Sequence, residues 1–422
     1  MLVEPRLAED APPAPDGGFV AWVQCASSFS LFLLSWGILS SFGAFQTYYE
    51  NTYPSWSASQ ISWIGSIQAF FLMGFGVVAG PVYDRGHVRI LVGIGSFLCV
   101  LGMMLTSISS KYWHFILAQG GVFGLGSGCL FIPSIAVLPA YFDKKQALAL
   151  GIGASGSALG HSTMFFFTDM MNVGGIIFPI IFHQLEPRIG FGWTTRIIGF
   201  IILLAAIIPV LGLRMRTQPS TVRKIFDVKA WREPPFIVSS VFFFLVFMGA
   251  YIPPFYIQSY ASDTNVVGEN LAPYLLPLLN VGSFFGRIIP THMADIYGPF
   301  NVDIFCVLIS AILTFTWITI RTTPSMIVFS VFYGFVAGAL TSLCPNLVVA
   351  LSPDRSVLGV RLSMQLLPVS AGILVGNPIA GALESYGWIY LQVFTGALLM
   401  ASFIIVAIVR FLMYGKSLKV RC

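Results

Sequence analysis

Long apolar stretches separated by short polar ones follow one another from about residue 19 to the end of the chain. A helix needs about 20 apolar residues to cross the roughly 30 Å hydrocarbon core of a bilayer, and many of these stretches reach that length. Only helices and closed barrels satisfy every backbone hydrogen bond in lipid, and stretches this long and continuous indicate helices. The pattern predicts twelve membrane-spanning helices: Phe19–Phe45, Gln60–Gly80, Val88–Ser109, Trp113–Leu138, Ala147–Phe182, Thr194–Leu213, Pro234–Tyr260, Ala272–Met293, Val302–Ile320, Ser325–Leu351, Val357–Leu383 and Tyr386–Tyr414.

The composition supports a membrane protein. Of the 422 residues, 56% are hydrophobic and only 9% are charged, whereas a soluble domain carries about 25% charged residues. We therefore expect an all-α membrane protein whose surface faces the lipid bilayer, and a soluble core is excluded. The six cysteines are scattered at spacings that fit neither a metal site nor a disulfide framework. We expect no metal and no cofactor.

Basic residues are distributed unevenly between the two sides of the membrane. Residues 1–18 are acidic and proline-rich and lack the features of a signal peptide, so we expect a disordered cytosolic tail. With the N-terminus inside, 17 of the 22 lysines and arginines fall on the cytosolic side and four fall outside. Because cytosolic loops are enriched in lysine and arginine, both termini are predicted to be cytosolic. The net charge of +5 then requires no nucleic-acid partner.

The largest polar stretch, residues 214–233, carries six basic residues and divides the predicted helices into six and six. We expect it to be a cytosolic linker between an N-terminal bundle at residues 19–213 and a C-terminal bundle at residues 234–422. A weak repeat supports this division, because GPVYDRGHVR (Gly80–Arg89) follows the second helix and THMADIYG (Thr291–Gly298) follows the eighth. Repeated halves are typical of secondary transporters, whose substrate site lies near the midplane between them.

Several motifs occur in the order found in one transporter family. DGGFVAW (Asp16–Trp22) enters the first helix, GPVYDRG (Gly80–Gly86) follows the second, and YFDKKQALALGIGASGSALG (Tyr141–Gly160) leads into the fifth. Together with EPPF (Glu233–Phe236) before the seventh helix, they resemble the fungal branch of the monocarboxylate transporter family, within the major facilitator superfamily. The resemblance covers the chain from Asp16 onward. It implies the major facilitator fold, in which two six-helix pseudo-repeat bundles rock against each other.

Arg287, in NVGSFFGRIIP (Asn280–Pro290), lies deep in the eighth predicted helix. An arginine at the bilayer centre costs about 2.5–3.5 kcal/mol on insertion scales and usually faces a cavity. The resemblance implies that it binds the substrate carboxylate, which a planar guanidinium can meet at both oxygens. A structural arginine that bonds backbone carbonyls is the alternative. Animal lactate carriers have an aspartate where this chain has Ser283, and a first-helix lysine that is missing here. Both departures argue against proton–lactate symport.

Further candidate residues fall into two groups. Four polar or amphipathic residues in apolar segments are candidate substrate-binding residues, with helix packing as the alternative: Asn280, Tyr251, Tyr256 and Tyr333. By resemblance, residues near the cytosolic helix ends are candidates for gating contacts, with helix capping and loop charge as the alternative: Asp16, Gly17, Gly18, Asp84, Arg85, Asp143, Lys144 and Asp295. The glycine pair is expected to allow close backbone approach at the helix entrance. His292 and Asp295 are candidates for proton relay, with a loop-edge location as the alternative.

Two glycine-rich segments and one insertion need separate interpretation. GIGASG (Gly151–Gly156) matches G-x-G-x-x-G, but a dinucleotide site needs a preceding strand and this segment opens a membrane helix. Both it and GGVFGLGSG (Gly120–Gly128) are predicted to serve helix packing.

The fifth predicted helix, Ala147–Phe182, is too long for one crossing, and removing HSTMFFFTDMMNV (His161–Val173) restores an ordinary length. We interpret that stretch as a retained intron; a real insertion would form a kinked or re-entrant segment and make Asp169 a membrane carboxylate.

The sequence predicts a secondary active transporter that carries a small organic anion of the monocarboxylate type, or a specialised metabolite, by rocker-switch alternating access. Export of a fungal secondary-metabolite product is one alternative, and a non-transporting receptor or scaffold is another. The sequence carries no Ser-His-Asp constellation and no nucleotide-binding lysine loop, so we do not expect an enzyme. We expect a carboxylate-bearing substrate and a multi-pass location in the plasma membrane, with vacuolar or other internal membranes as alternatives.

Overall fold

The computed structural model describes residues 6–7, 17–142, 168–218, 227–352 and 355–415, and these are almost entirely helical. The α-helices within these ranges are α1 (Phe19–Phe32), α2 (Phe42–Thr52), α3 (Ala58–Gly74), α4 (Gly76–Asp84), α5 (Val88–Ser107), α6 (Tyr112–Phe115), α7 (Gly124–Ala136), α8 (Thr168–Gly212), α9 (Pro234–Ala250), α10 (Ile252–Asp263), α11 (Leu275–Tyr297), α12 (Pro299–Trp317), α13 (Thr323–Ala350), α14 (Arg355–Glu384) and α15 (Trp388–Tyr414). Short 3₁₀ helices lie at Leu138–Ala140, Ala230–Arg232 and Ala272–Tyr274, and π-helical turns at Leu33–Gly37 and Ile116–Phe123. Two-residue strands β1 (Arg6–Leu7) and β2 (Thr217–Gln218) pair in parallel.

Within the described ranges, eleven helical segments are long and apolar enough to cross a membrane. One of them lies in α8, whose 45 residues would span about 68 Å at 1.5 Å per residue, twice the thickness of the hydrocarbon core. Gly190 interrupts α8 with φ 76° and ψ 164°, a conformation that glycine adopts without steric cost. The helix therefore makes two crossings, which brings the described chain to the predicted twelve. The sequence predicts that one helix ends at Phe182 and the next begins at Thr194. In the structure α8 continues beyond Phe182 as far as the kink at Gly190.

The predicted insertion His161–Val173 is described only in part. Residues 161–167 lie outside the described residues, and residues 168–173 form the backbone of the first turns of α8. The glycine-rich segment Gly151–Gly156 also lies outside them. The interpretation of His161–Val173 as a retained intron stays a prediction, and so does the packing role of Gly151–Gly156.

The seventh crossing is broken at Tyr251, between α9 and α10, directly before the proline pair of the segment YIPPFY. Pro254 has no N–H and cannot donate to the carbonyl of Ala250 four residues before it. The hydroxyl of Tyr333 on α13 donates to this carbonyl at 3.1 Å. An unpaired carbonyl in lipid is costly, so this bond from a neighbouring helix stabilises the break.

Glycines bring α11 and α13 into backbone contact. A Cβ atom at Gly286 would lie 2.6 Å from the Cα of Phe335, and one at Gly334 would lie 3.0 Å from the Cα of Leu279. The contact is reciprocal, because each helix supplies glycines that face the backbone of the other. This is the small-residue packing that allows membrane helices to approach closely.

The predicted packing role of Gly120–Gly128 is confirmed. A Cβ atom at Gly120 would lie 3.1 Å from the carbonyl oxygen of Ile64, and one at Gly124 would lie 3.0 Å from the Cα of Gln68, both on α3. The segment is therefore a row of small residues against a neighbouring helix.

The helices before residue 213 pack mainly among themselves, and so do those after residue 234. We call the face of the bundle that carries the linker between α8 and α9 the linker face, and the opposite face the distal face. The two parts of the weak repeat both end on the linker face. Gly86 after α4 has φ 87° and Gly298 after α11 has φ 90°, so each part ends in a glycine that reverses the chain. The two halves meet through α2 with α10, α3 with α14, and α8 with α11.

Candidate functional site

One side of α11 carries a row of buried polar side chains. Asn280, Ser283, Arg287 and Thr291 are separated by three, four and four residues, which places them on one side of the helix. Each of the four is at most 7% exposed. The glycines described above lie on the adjoining side of α11, so packing against α13 sets the direction of the polar row.

Arg287 is 7% exposed and is therefore turned into the bundle, not toward the lipid-facing surface. Its Nε donates to the hydroxyl of Ser283 at 3.3 Å, and its charge acts on the hydroxyl of Tyr251 at the break in the seventh crossing. The hydroxyl of Thr291 donates to the Arg287 carbonyl at 2.7 Å and lies 3.1 Å from that of Ser342 on α13. A guanidinium held in this way can bind a carboxylate through two parallel hydrogen bonds.

The other candidate substrate-binding residues bond to backbone carbonyls in this conformation. The Asn280 side chain donates to the carbonyl of Gly175 on α8 at 3.0 Å, a bond between the two halves. Tyr256 is fully buried and its hydroxyl donates to the carbonyl of Asn377 at 2.9 Å. Tyr333 is also buried and bonds to the break in the seventh crossing. The substrate-binding roles of these residues stay predictions.

Side chains of both halves meet at the distal face in a set of contacts that we call the distal gate. Its members are Gln46, Thr47, Glu50, Ala58 and Ser59 of the N-terminal half, and Tyr256, Ser259 and Pro378 of the C-terminal half. Ser59 donates to the Pro378 carbonyl at 2.7 Å. Ser259 lies 3.0 Å from the hydroxyl of Thr47 and also hydrogen-bonds Glu50. These bonds join the two halves at the distal face.

Most of the predicted gating residues that the structure describes lie at the linker face. Asp84 ends α4 and is 2% exposed, whereas Arg85 is exposed beside it. Asp295 and His292 are exposed on the last turns of α11. Burial favours a contact role for Asp84 over simple loop charge, and the gating role stays a prediction. Three further candidates lie outside the described residues: Asp16, Asp143 and Lys144.

Among the described residues, no backbone closely approaches Gly17 or Gly18, which the sequence assigned to close helix packing. A Cβ atom at either position would meet no described atom within 4 Å. Gly18 instead has φ 87° at the N-cap of α1, a region in which other residues are strained. The backbone conformation at the helix entrance, and not helix packing, requires glycine there.

Arg361 at the start of α14 forms an ion cluster that the sequence pattern misses. The residue is 1% exposed; its guanidinium donates to both carboxylate oxygens of Glu233 at 2.6 and 2.7 Å and to Asp227 at 3.1 Å. It also donates to the Leu351 carbonyl at 3.0 Å and lies over the ring of Phe236. We call these five residues the linker clip, because they tie the end of the linker to α13 and α14. The feature of the sequence that could have indicated this cluster is an arginine within an otherwise apolar segment.

Two carboxylates within the helices were also missed. Asp303, near the start of α12, is 1% exposed. Its Oδ2 oxygen has no hydrogen-bond partner in the described part of the chain. Glu50 lies in the distal gate near the end of α2. Both residues lie close to a helix end, where hydropathy alone cannot separate a buried carboxylate from a loop residue.

Residues 19–323 match the sequence profile of the Major Facilitator Superfamily. The chain belongs to this superfamily. It is 39% identical over 418 residues to the MFS-type transporter dbaD of Emericella nidulans, across 95% of this chain and 91% of that protein. It is 35% identical over 403 residues to the aspyridones efflux protein apdF of the same fungus, across 94% of this chain and 79% of that one.

Solved structures agree with the superfamily fold. The peptide transporter POT in complex with sulfate superposes with a TM-score of 0.73 at 15% identity, covering 95% of this chain and 97% of the other. The predicted all-α major facilitator fold is confirmed. This superfamily member is a multi-pass membrane transporter and not an enzyme.

Proposed function

We propose that this superfamily member exports a small, carboxylate-bearing specialised metabolite through a site centred on Arg287, and that it belongs to the monocarboxylate-transporter-like branch. The buried guanidinium of Arg287 carries the proposal. Export is favoured over uptake by the similarity to a protein named for aspyridones efflux. Proton–lactate symport is not part of the proposal, because Ser283 stands where the lactate carriers have a carboxylate.

The surroundings of Arg287 suit an anion. An arginine within the membrane costs about 2.5–3.5 kcal/mol on insertion scales, so its retention needs a compensating function. A carboxylate bound in a fork would neutralise the charge, and the hydroxyl of Ser283 beside the guanidinium could contribute a further donor. Because the polar row of α11 runs beside the Asn280 contact between the halves, a bound anion would contact the interface that alternating access rearranges.

In this proposal the linker face is cytosolic and the distal face is extracellular, with the chain in the plasma membrane. The excess of lysine and arginine on the linker side supports this orientation. With the distal gate closed, the substrate would enter from the linker face. Rocking of the two halves would then break the distal gate and release the substrate outside.

Transport by cells that express the full chain tests the proposal. Cells are loaded with a panel of radiolabelled organic acids and neutral compounds, and efflux and uptake are measured for wild type, Arg287→Ala and Arg287→Lys. We expect wild type to move at least one carboxylate, Arg287→Ala to move none, and Arg287→Lys to keep a weak activity because an ammonium provides charge without the fork. Arg188→Ala is the matched control, since Arg188 is exposed at the distal face.

The result that contradicts the proposal is also specific. Carboxylate flux that survives Arg287→Ala, with the variant present in the membrane at the wild-type level, would remove Arg287 from the substrate site. Movement of neutral compounds alone, with equal rates in all four proteins, would reject an anionic substrate.

A further inference from the structure

Glu50 in the distal gate belongs to a continuous chain of hydrogen bonds between the halves. Its Oε1 accepts from the amide of Gln46 at 2.7 Å, and its Oε2 hydrogen-bonds the hydroxyl of Ser259 on the C-terminal half. Ser259 lies 3.0 Å from the hydroxyl of Thr47. Thr47 in turn lies 3.1 Å from the carbonyl oxygen of Gly43.

The chain of hydrogen bonds that runs from Glu50 to the Gly43 carbonyl contains three contacts. Its two hydroxyl groups supply only two hydrogens. The contacts are Glu50 with Ser259, Ser259 with Thr47, and Thr47 with the Gly43 carbonyl, so three hydrogens are needed when each contact is a separate two-centre hydrogen bond. The two hydroxyl groups supply two, since each carries one donor hydrogen. A proton on Glu50 supplies the third: Glu50 then donates to Ser259, Ser259 to Thr47, and Thr47 to the carbonyl.

The charges around Glu50 favour the same protonation state. Within the described residues, the charged groups that act on it are Glu384 at the end of α14 and Asp263 at the end of α10, both acidic. Tyr256 on α10 is a further titratable neighbour across the gate. An additional negative charge would be repelled by the two acidic groups.

The neighbouring carboxamide shows independently that the site lacks donors. Gln46 is fully buried, and its Oε1 oxygen has no hydrogen-bond partner among the described residues. Its amide nitrogen is the atom that contacts Glu50. One buried acceptor beside Glu50 is therefore left without a donor among the described residues.

We propose that Glu50 is a proton-binding site that locks the distal gate. The protonated side chain bridges the two halves, and loss of its proton to the distal side accompanies opening. This rests on alternating access between the halves and not on the substrate proposed above. If one proton leaves with each opening, the ratio of open to closed gate rises by up to about tenfold per pH unit.

Spin-label distances across the distal face test this directly. The full chain, with its native cysteines replaced, is labelled at Ser55→Cys and Ser385→Cys, which are exposed on opposite halves. Double electron–electron resonance in lipid nanodiscs then measures the distance between the two labels without any substrate, from acidic to mildly alkaline pH. We expect a short distance at acidic pH and a growing population of longer distances as the pH rises. A wild-type distribution that does not change with pH overturns the proposal.

Three variants separate a proton-binding role from a structural one. Glu50→Gln keeps a donor for Ser259 but does not titrate, so we expect the short distance at every pH. Glu384→Gln removes a repelling charge, so the opening transition is expected to move to lower pH. Glu269→Gln, an exposed glutamate on the same face, is the control and should keep the wild-type transition. A full pH response in Glu50→Gln overturns the proposal.

Ser259→Ala keeps the test decisive if Glu50→Gln does not fold. It removes the partner of Glu50 on the other half, so the long distance is expected already at acidic pH. A wild-type distribution in this variant also overturns the proposal. These distances do not depend on the transport of a carboxylate substrate. Failure of the export proposal is therefore distinguished from failure of this one.

Discussion

Gly286→Ala probes the backbone contact that orients Arg287. An added Cβ atom would lie 2.6 Å from the Cα of Phe335 and would overlap its carbonyl group. Two carbon atoms in van der Waals contact are about 3.5–4.0 Å apart, so α11 and α13 would have to separate by at least about 1 Å. Because Gly334 makes the reciprocal contact with Leu279, the separation would open the interface along its length.

The expected cost follows from that separation. A gap of about 0.5–1 Å forfeits about a quarter to a half of the dispersion energy of each facing atom pair. Inserting one carbon into a well-packed contact typically costs about 1–3 kcal/mol. We expect Gly286→Ala to lower the free energy of unfolding by about 2 kcal/mol, and transport to fall as well, because Arg287 is the next residue along the displaced helix.

Thermal unfolding of the purified chain, followed by intrinsic tryptophan fluorescence, measures the effect. The matched control is Gly93→Ala on α5, where an added Cβ would meet nothing within 4 Å. Alanine is favoured over glycine in a helix by about 0.5–1 kcal/mol, so this control should keep or raise the midpoint temperature. Equal midpoints for the two variants would refute the inference that glycine is needed at position 286 for packing.

Three further substitutions have defined outcomes. Tyr333→Phe leaves the carbonyl at the helix break unpaired and should lower the unfolding free energy by about 0.6–1.7 kcal/mol, while Tyr386→Phe at an exposed site should not change the midpoint. Arg361→Lys keeps the charge but loses the fork on Glu233, so limited proteolysis should cut the linker faster than in wild type; equal rates would contradict the linker clip. Asp303→Asn should leave the midpoint unchanged or raise it, because the carboxylate oxygen it replaces has no partner among the described residues; a large fall would contradict this.

The sequence predicted those features that depend on local pattern. Hydropathy located the crossings, and Arg287 was identified because a charge within an apolar helix is visible without any tertiary information. Gly120–Gly128 was assigned to packing because its neighbours are those of a membrane helix.

Contacts between distant parts of the chain could not be predicted in the same way. Ser259 and Glu50 are 209 residues apart, and nothing in the spacing of either segment pairs them. The polar groups of Tyr256 and Asn280 were detectable, but whether a hydroxyl or an amide meets a substrate or a carbonyl depends on the fold. Hydropathy likewise cannot separate the buried Asp303 from a loop carboxylate, since it lies only a few residues from the start of α12.

The break in the seventh crossing connects the candidate substrate site with the distal gate. Tyr251 at the break is within range of the Arg287 charge, and the short helix α10 that follows carries Ser259 into the gate. Because Pro254 removes a hydrogen bond that would join α9 to α10, α10 can reorient without the cost of breaking a continuous helix. An anion that neutralises Arg287 changes the field at one end of α10, and protonation of Glu50 changes the bonding near the other. In the two proposals both events therefore act on the same twelve-residue helix.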